Sequence, residues 1–332
     1  KILTHWKRKS RKKGMRARNN KQLIKLILTK SREICNTLRH SQNTKRGRPR
    51  AYEDHLIVAA LLIKVLENLS LRDLEERLKD LFPQVPDFTT LHYRFRKLNQ
   101  GYLKELIHKT AKEIMEKLQA KELYCLIADG TGFGYAQAYE LKWKKGKELR
   151  NVKSHVKTEV LVGVVRNKAI VVDINIGKPY ADENMLLRSM LKELGFRARY
   201  FLGDAYYGKS VVVLEEIKGL RMEAIVPVRD TAHTRVSNRH RLWAKRNYEV
   251  RREVYRKNRF RVEQVIGIVK NRFGDRDKVY DFEIASLYVL GRFVLYNLIL
   301  LLELLLLCLN LLRITWASSR FILQVMTIFS TG

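Results

Sequence analysis

Three acidic residues in this sequence sit where a carboxylate could do chemistry. Asp129 follows the apolar run Tyr124-Cys125-Leu126-Ile127-Ala128, and Asp204 follows Tyr200-Phe201-Leu202-Gly203, so each reads as the end of a buried strand. Glu263 lies in a stretch from Asn258 to Gly274 whose apolar residues Val262, Val265, Ile266, Val269 and Phe273 recur at three- and four-residue steps, the period of an amphipathic helix. On that helix Arg259, Glu263, Gly267 and Lys270 share a narrow stripe beside the apolar face, with the acid between two cations. Each feature alone is ordinary: a strand-end aspartate is often a turn residue, and Arg259 with Glu263 is a common surface pair. Together the three carboxylates make a set of hard oxygen donors, which Mg²⁺ or Mn²⁺ prefers. Two such ions, about 3.5–4 Å apart, can bind the attacking and leaving oxygens of an in-line phosphodiester displacement. Arg259 and Lys270 would then hold phosphate beside the metals.

These residues need a rigid frame. After Asp129 the sequence predicts strands over Val156 to Val165 and Ala169 to Ile176, a helix from Asp182 to Leu194, and the strand ending at Asp204. Tyr206-Tyr207-Gly208 leads into a helix reaching Lys218, and Glu223 to Val228 reads as a further strand. Three strands followed by alternating helix and strand imply an α/β fold, a mixed sheet with helices packed on it. Arg229 to Tyr255 reads as a basic connection without clear periodicity.

The chain has 332 residues and a formal charge of +32, an excess that calls for a polyanionic partner and fits nucleic acid best. The charge is dense in a basic N-terminal arm, residues 1–50, where Arg46-Gly47-Arg48-Pro49-Arg50 resembles an AT-hook core whose arginines fit a narrow minor groove. Residues 51–118 read as an all-α helix-turn-helix domain: an apolar helix from Glu53 to Asn68, a second capped by Ser70, and a third beginning at Asp87. The third carries Thr90, His92, Arg94, Arg96 and Lys97 as candidate DNA contacts; a small helical bundle with a basic face is the alternative. Residues 119–280 form the catalytic unit, and residues 281–332 a C-terminal apolar helix and tail.

The three-acid set resembles the DDE transposases of insertion sequences, in the IS4/IS5 grouping. The matching residues are Asp129 in Ala-Asp-Gly-Thr-Gly, Asp204 in Gly-Asp-Ala-Tyr-Tyr-Gly, and Glu263 with Arg259 before it and Lys270 after it. The resemblance implies an RNase H-like catalytic domain in which Asp129, Asp204 and Glu263 hold two Mg²⁺ or Mn²⁺ ions. It also implies action on double-stranded DNA, both element ends and target, by a homodimer. The family's third motif places a tyrosine three residues before the arginine. Here Arg256 holds that position and Tyr255 lies one place earlier, a departure that leaves the glutamate in register. The interval from Asp204 to Glu263 is short and basic, so no large inserted domain is expected there.

Other chemistries find little support. Gly130, Gly132 and Gly134 follow a strand but lack the spacing of a dinucleotide loop, and no P-loop or zinc-protease motif occurs. His155, Lys157 and Asp182 could approach the cleft, yet read as surface or capping residues. Cys35, Cys125 and Cys308 are scattered, which fits a reducing cytoplasm and a nucleoid location, and the basic first residues show no signal peptide. Phe293 to Leu312 is long enough to span a bilayer, but Asn297, Glu303 and Asn310 interrupt it, so a buried core helix is expected and no membrane partner. A second reading of the whole chain is a non-catalytic DNA-binding protein descended from a transposase.

Overall fold

Five strands form one sheet in the computed structural model of the chain, which describes residues 2–39, 51–144, 147–229 and 235–329, with side chains for 20–38, 51–136, 155–229 and 235–308. The strands are β1 (Leu123–Lys144), β2 (Lys147–Val165), β3 (Lys168–Gly177), β4 (Ala198–Leu202) and β5 (Glu223–Ile225), in spatial order β3-β2-β1-β4-β5. β1, β2 and β3 form an antiparallel meander, whereas β4 and β5 run parallel to β1. The fold is α/β, as the sequence pattern requires.

One expectation needs correction. Asp129 does not end its strand, because the antiparallel ladder with β2 continues through Asp129, opposite Val160, and onward to Lys144. What ends nearby is the parallel pairing with β4, whose last partners are Ile127 and Leu202.

The sheet is covered on both faces. Cys125, Ile127, Phe133, Val160 and Leu202 join one buried cluster, and Leu126, Ala128, Leu161 and Phe201 join another. This is the alternation that side chains of a strand impose. The first face packs against α10 (Phe260–Phe273) and α11 (Phe282–Phe329), and the second against α6 (Glu183–Lys192), α7 (Val211–Gly219) and α8 (Arg239–Val250). α9 (Arg252–Asn258) leads from α8 to α10. Helices α8 and α9 occupy the stretch that lacked periodicity, since α8 buries only His240 and Ala244 and owes its start to the Asn238 cap.

The N-terminal helices are α1 (Ile2–Arg39), α2 (Asp54–Glu67), α3 (Leu71–Lys79), α4 (Phe88–Arg96) and α5 (Gly101–Lys117). α1 runs through the basic arm and buries Leu23, Ile24, Ile27 and Ile34. The Ser70 cap forms as the sequence suggests: its hydroxyl accepts from the Asp73 amide at 3.1 Å, and Asp73 accepts the Ser70 amide at 3.3 Å. Leu61 and Ile63 of α2 and Leu103 and Ile107 of α5 share the buried cluster of the first sheet face.

The apolar helix α11 is the spine of that cluster. Phe282–Cys308 is long and apolar enough to cross a membrane, with a mean hydropathy of 2.0, but 67% of its most apolar stretch is buried inside the protein. Its Asn297, wholly buried, accepts from the Val171 amide at 3.0 Å and donates to the Val171 carbonyl at 2.8 Å. Those backbone groups belong to the edge strand β3, so the residue that looked like an interruption of a lipid-facing helix closes a sheet edge.

Candidate active site

Asp129 and Asp204 each lie two residues beyond the paired Ile127 and Leu202, on neighbouring parallel strands. Adjacent strands are spaced by about 4.8 Å, so the register brings the segments that carry the two carboxylates to one level at the end of the parallel pairing. Period two also sends Asp129 to the same sheet face as Ile127, the face that α10 covers.

α10 is held there at both ends of its buried stripe. Val262, Val265, Val269 and Phe273 sit in the first cluster, and Gly274, with φ of 83°, ends the helix in a conformation that favours glycine. The chain then runs beside β1: the Gly134 amide donates to the Asp275 carbonyl and the Asp277 amide to the Gly134 carbonyl, both at 2.9 Å. Arg292 of α11 fixes this loop by pairing with Asp277 at 2.7 Å.

Glu263 therefore approaches Asp129 from above. Arg259 joins them, donating to Asp129 at 2.9 Å and to Glu263 at 3.3 Å. Its side chain is 13% exposed, against 22% for Asp129 and 62% for Glu263. Burial raises the Asp129 pKa; the Arg259 charge works the other way, and Glu263 and Asp204 add to the rise. For Arg259 burial opposes the charge, but Asp129, Tyr255 and Glu263 outweigh it and raise the pKa. Asp204 is exposed and accepts the Tyr206 amide at 2.8 Å.

Three hard oxygen donors around an under-compensated, half-buried carboxylate suit a divalent cation, so the residues fit Mg²⁺ or Mn²⁺ by chemistry. Among the described residues no three His, Cys, Asp or Glu side chains converge closely enough to hold an ion as they stand. The guanidinium of Arg259 supplies the positive charge between Asp129 and Glu263 instead.

Lys270 lies over the Phe133 ring at 5.1 Å, on the same helix as Glu263. A side chain at Gly267 would meet nothing within 4 Å, which leaves that part of the stripe open. Tyr255, one place from the expected tyrosine, is half-buried; burial raises its pKa, and it responds to both Arg259 and Asp204. Arg256 is 71% exposed and pairs with Glu253.

On α4, away from the acids, Thr90 is engaged in the Asp87 cap, Arg94 pairs with Asp54 at 2.6 Å and Arg96 with Asp281 at 2.9 Å. His92 is exposed, and Lys97 lies over the Tyr93 ring at 4.3 Å. Arg46, Arg48 and Arg50 fall outside the described residues.

On the other sheet face lie His155, Lys157 and Asp182, read from sequence as surface or capping residues, together with Glu159, which was not anticipated. Lys157 pairs with Glu183 at 3.0 Å, Asp182 caps α6 and accepts the Tyr206 hydroxyl at 3.0 Å, and His155 packs where a Gly132 side chain would stand. Glu159 is wholly buried and accepts the Tyr207 hydroxyl. Strand alternation marks His155, Lys157 and Glu159 as one face, and the glycines opposite them on β1 are the only sequence sign that this face is covered.

A family model described as the transposase DDE domain matches residues 120–298, just over half the chain, from the start of β1 into α11. An uncharacterized protein of Aquifex aeolicus (strain VF5) is 91% identical over 321 residues, covering 97% of this chain and 100% of that protein. Among solved structures, a piggyBac transposase synaptic complex with hairpin DNA is similar over 83% of this chain and 73% of that one, at 11% identity and a TM-score of 0.41. The Mos1 strand transfer complex is similar over 79% of each chain, at 13% identity and a TM-score of 0.27. Both structural likenesses are distant, and the fold stands on the sheet described above.

Proposed function

Because the chain belongs to the transposase DDE domain family, we propose that it cleaves phosphodiester bonds at the ends of a mobile DNA element and joins the freed 3′ oxygen to target DNA. The observation that carries this is the register of Asp129 and Asp204 at the end of two parallel strands, with Glu263 tied to Asp129 through Arg259. Asp129, Asp204 and Glu263 would hold Mg²⁺ or Mn²⁺, two ions in the usual arrangement for such chemistry. When bound, the metal supplies an activated water or 3′ hydroxyl and neutralises charge on the scissile phosphate.

The chain's own residues do the rest. Glu263, with its side chain 62% exposed, would hold the ion in place of its bond to Arg259. Arg259 keeps its bond to Asp129 and turns its freed donors to phosphate, for which a guanidinium fork is well shaped. Lys270, about three turns beyond Arg259, supports a second phosphate, and the space above Gly267 admits the backbone of the DNA between them. The insertion-sequence grouping and a dimer that pairs two element ends are part of the same proposal, as are minor-groove contacts by Arg46, Arg48 and Arg50 and base contacts by His92.

The test is nicking of a supercoiled plasmid carrying the element ends, with Mn²⁺. Asp129→Asn, Asp204→Asn and Glu263→Gln should each abolish nicking and leave DNA binding measurable. Full cleavage by any of the three overturns the assignment. Binding without nicking by the unaltered chain would favour the non-catalytic DNA-binding protein.

A further inference from the structure

Both strand aspartates have a glycine beside them in sequence, Gly130 after Asp129 and Gly203 before Asp204. By strand alternation these glycines face away from α10, toward the second sheet face. Each is covered there by one member of a hydrogen-bonded pair, Tyr207 and Glu159. The Tyr207 ring lies against Gly203, with Cδ2 at 2.7 Å from where a Cβ would be. Over Gly130 lie the carboxyls of Glu183 and Glu159, with Glu183 Oε1 at 3.1 Å and Glu159 Oε2 at 3.4 Å from the corresponding point. Tyr207 comes from the segment after β4 and Glu159 from β2, and β1 lies between those strands. The hydrogen bond from the Tyr207 hydroxyl to Glu159 Oε1 therefore crosses beneath β1 next to Asp129.

We propose that Tyr207 and Glu159 are positioning residues, a clamp across β1 that sets the spacing of Asp129 and Asp204. The need for one follows from the chain path. Asp204 lies beyond the last paired residue of β4, exposed, with the Tyr206 amide as the backbone partner of its carboxylate. Register fixes Asp129, which is held by the ladder with β2, but register alone does not fix Asp204. Tyr207, three residues further on and 1% exposed, ties that segment to the opposite strand. Both clamp residues are buried away from solvent, so neither touches DNA.

The composition of the pair is consistent with this role. Burial raises the Glu159 pKa well above its ordinary value, and glutamine, which keeps an acceptor oxygen for the Tyr207 hydroxyl, is the conservative replacement. Glu159 Oε2 is buried without a hydrogen-bond partner, a cost that a residue kept only for packing would not carry. A leucine would fill the same space more favourably.

The inference rests on Asp129 and Asp204 acting as paired ligands, and its test separates the two ideas. Hydrogen–deuterium exchange of residues 203–208 measures the clamp without metal, and Mn²⁺ affinity by electron paramagnetic resonance measures its use. Tyr207→Phe should speed exchange in that segment and weaken Mn²⁺ binding, each by about tenfold, as loss of one buried donor implies. Glu159→Gln, which keeps an acceptor for the Tyr207 hydroxyl, should leave both near the unaltered values. The double variant Tyr207→Phe with Glu159→Leu replaces both partners by apolar groups, keeps the fold, and should behave like Tyr207→Phe. Unchanged exchange in both Tyr207 variants overturns the clamp, and faster exchange with unchanged Mn²⁺ affinity overturns its positioning role. If the unaltered chain binds no Mn²⁺, the metal reading fails, while the exchange arm still decides the clamp.

Discussion

At the scale of single residues, Asp129 is the group whose environment most constrains the chemistry. Its pKa is raised by burial first, then by Glu263 and Asp204, with Arg259 opposing. A carboxylate must be ionised to bind metal, so Mn²⁺ affinity should fall, as pH is lowered, from a value above the ordinary aspartate range. The linkage has a definite sign. The folded chain holds this proton more tightly than the unfolded one, so without metal the residue favours the fold at low pH and loses that contribution as pH rises through the raised value. Arg259→Met removes the one opposing charge and should move the acid limb of Mn²⁺ binding further up; Arg259→Lys should move it less. A titration of Mn²⁺ affinity against pH decides this, and an unmoved limb in Arg259→Met would mean that the guanidinium does not govern Asp129. The three acids were legible in sequence because each interrupts or borders an apolar run. Tyr255 and Glu159 were not. Tyr255 fell out of step with its motif, and Glu159 alternates with His155 and Lys157 as an outward-facing polar series would. Only the register with Gly130 and Gly132 shows that series to be covered.

At the scale of elements, what the pattern conveyed was burial, and what it left out was pairing. β1 and β2 run well past their apolar halves because each satisfies the other's backbone groups, an effect that hydropathy does not report. α8 and α9 escaped notice because they bury little, whereas α3, with its Ser70 capping box, and α10, with its apolar stripe, carried their own signals. Close packing within the sheet yields a direct prediction. Gly163, near the end of β2, faces Leu123 and Val172, and a Cβ there would meet Leu123 Cδ1 and Val172 Cγ2 at 2.8 Å each. These atoms belong to fully buried side chains on both neighbouring strands, so they have little room to give. Gly163→Ala should destabilise the chain by about 1–3 kcal/mol, the usual cost of overpacking a core. Gly219→Ala, at a position where a Cβ meets nothing, is the control and should change stability by no more than about 0.5 kcal/mol. Equal denaturant midpoints for the two variants would contradict this packing.

At the scale of the whole molecule, the formal charge of +32 has no outlet in the fold itself. The sheet, α5 and α11 are joined by apolar contacts and by Asn297, and the excess of cations lies outside that core. Part of it is on the helices that lead to the acid cluster: Arg239, Arg246 and Arg252 are exposed on α8 and α9, and α9 runs directly into Arg259 and the start of α10. A phosphate backbone following α8 and α9 would arrive at Asp129 and Glu263 with its charge already neutralised. Binding driven by such contacts releases condensed counterions, so its logarithm falls linearly with the logarithm of salt concentration. If about six to ten phosphates are engaged, affinity for duplex DNA should drop by about 10³–10⁵ between about 50 mM and about 200 mM salt. Arg246→Ala and Arg252→Ala should each make the slope shallower by about one, and should do so on any duplex, because phosphate contacts carry no sequence information. Filter binding across a salt series measures both effects. A slope left unchanged by both substitutions would place the DNA elsewhere and leave α8 and α9 as packing elements alone.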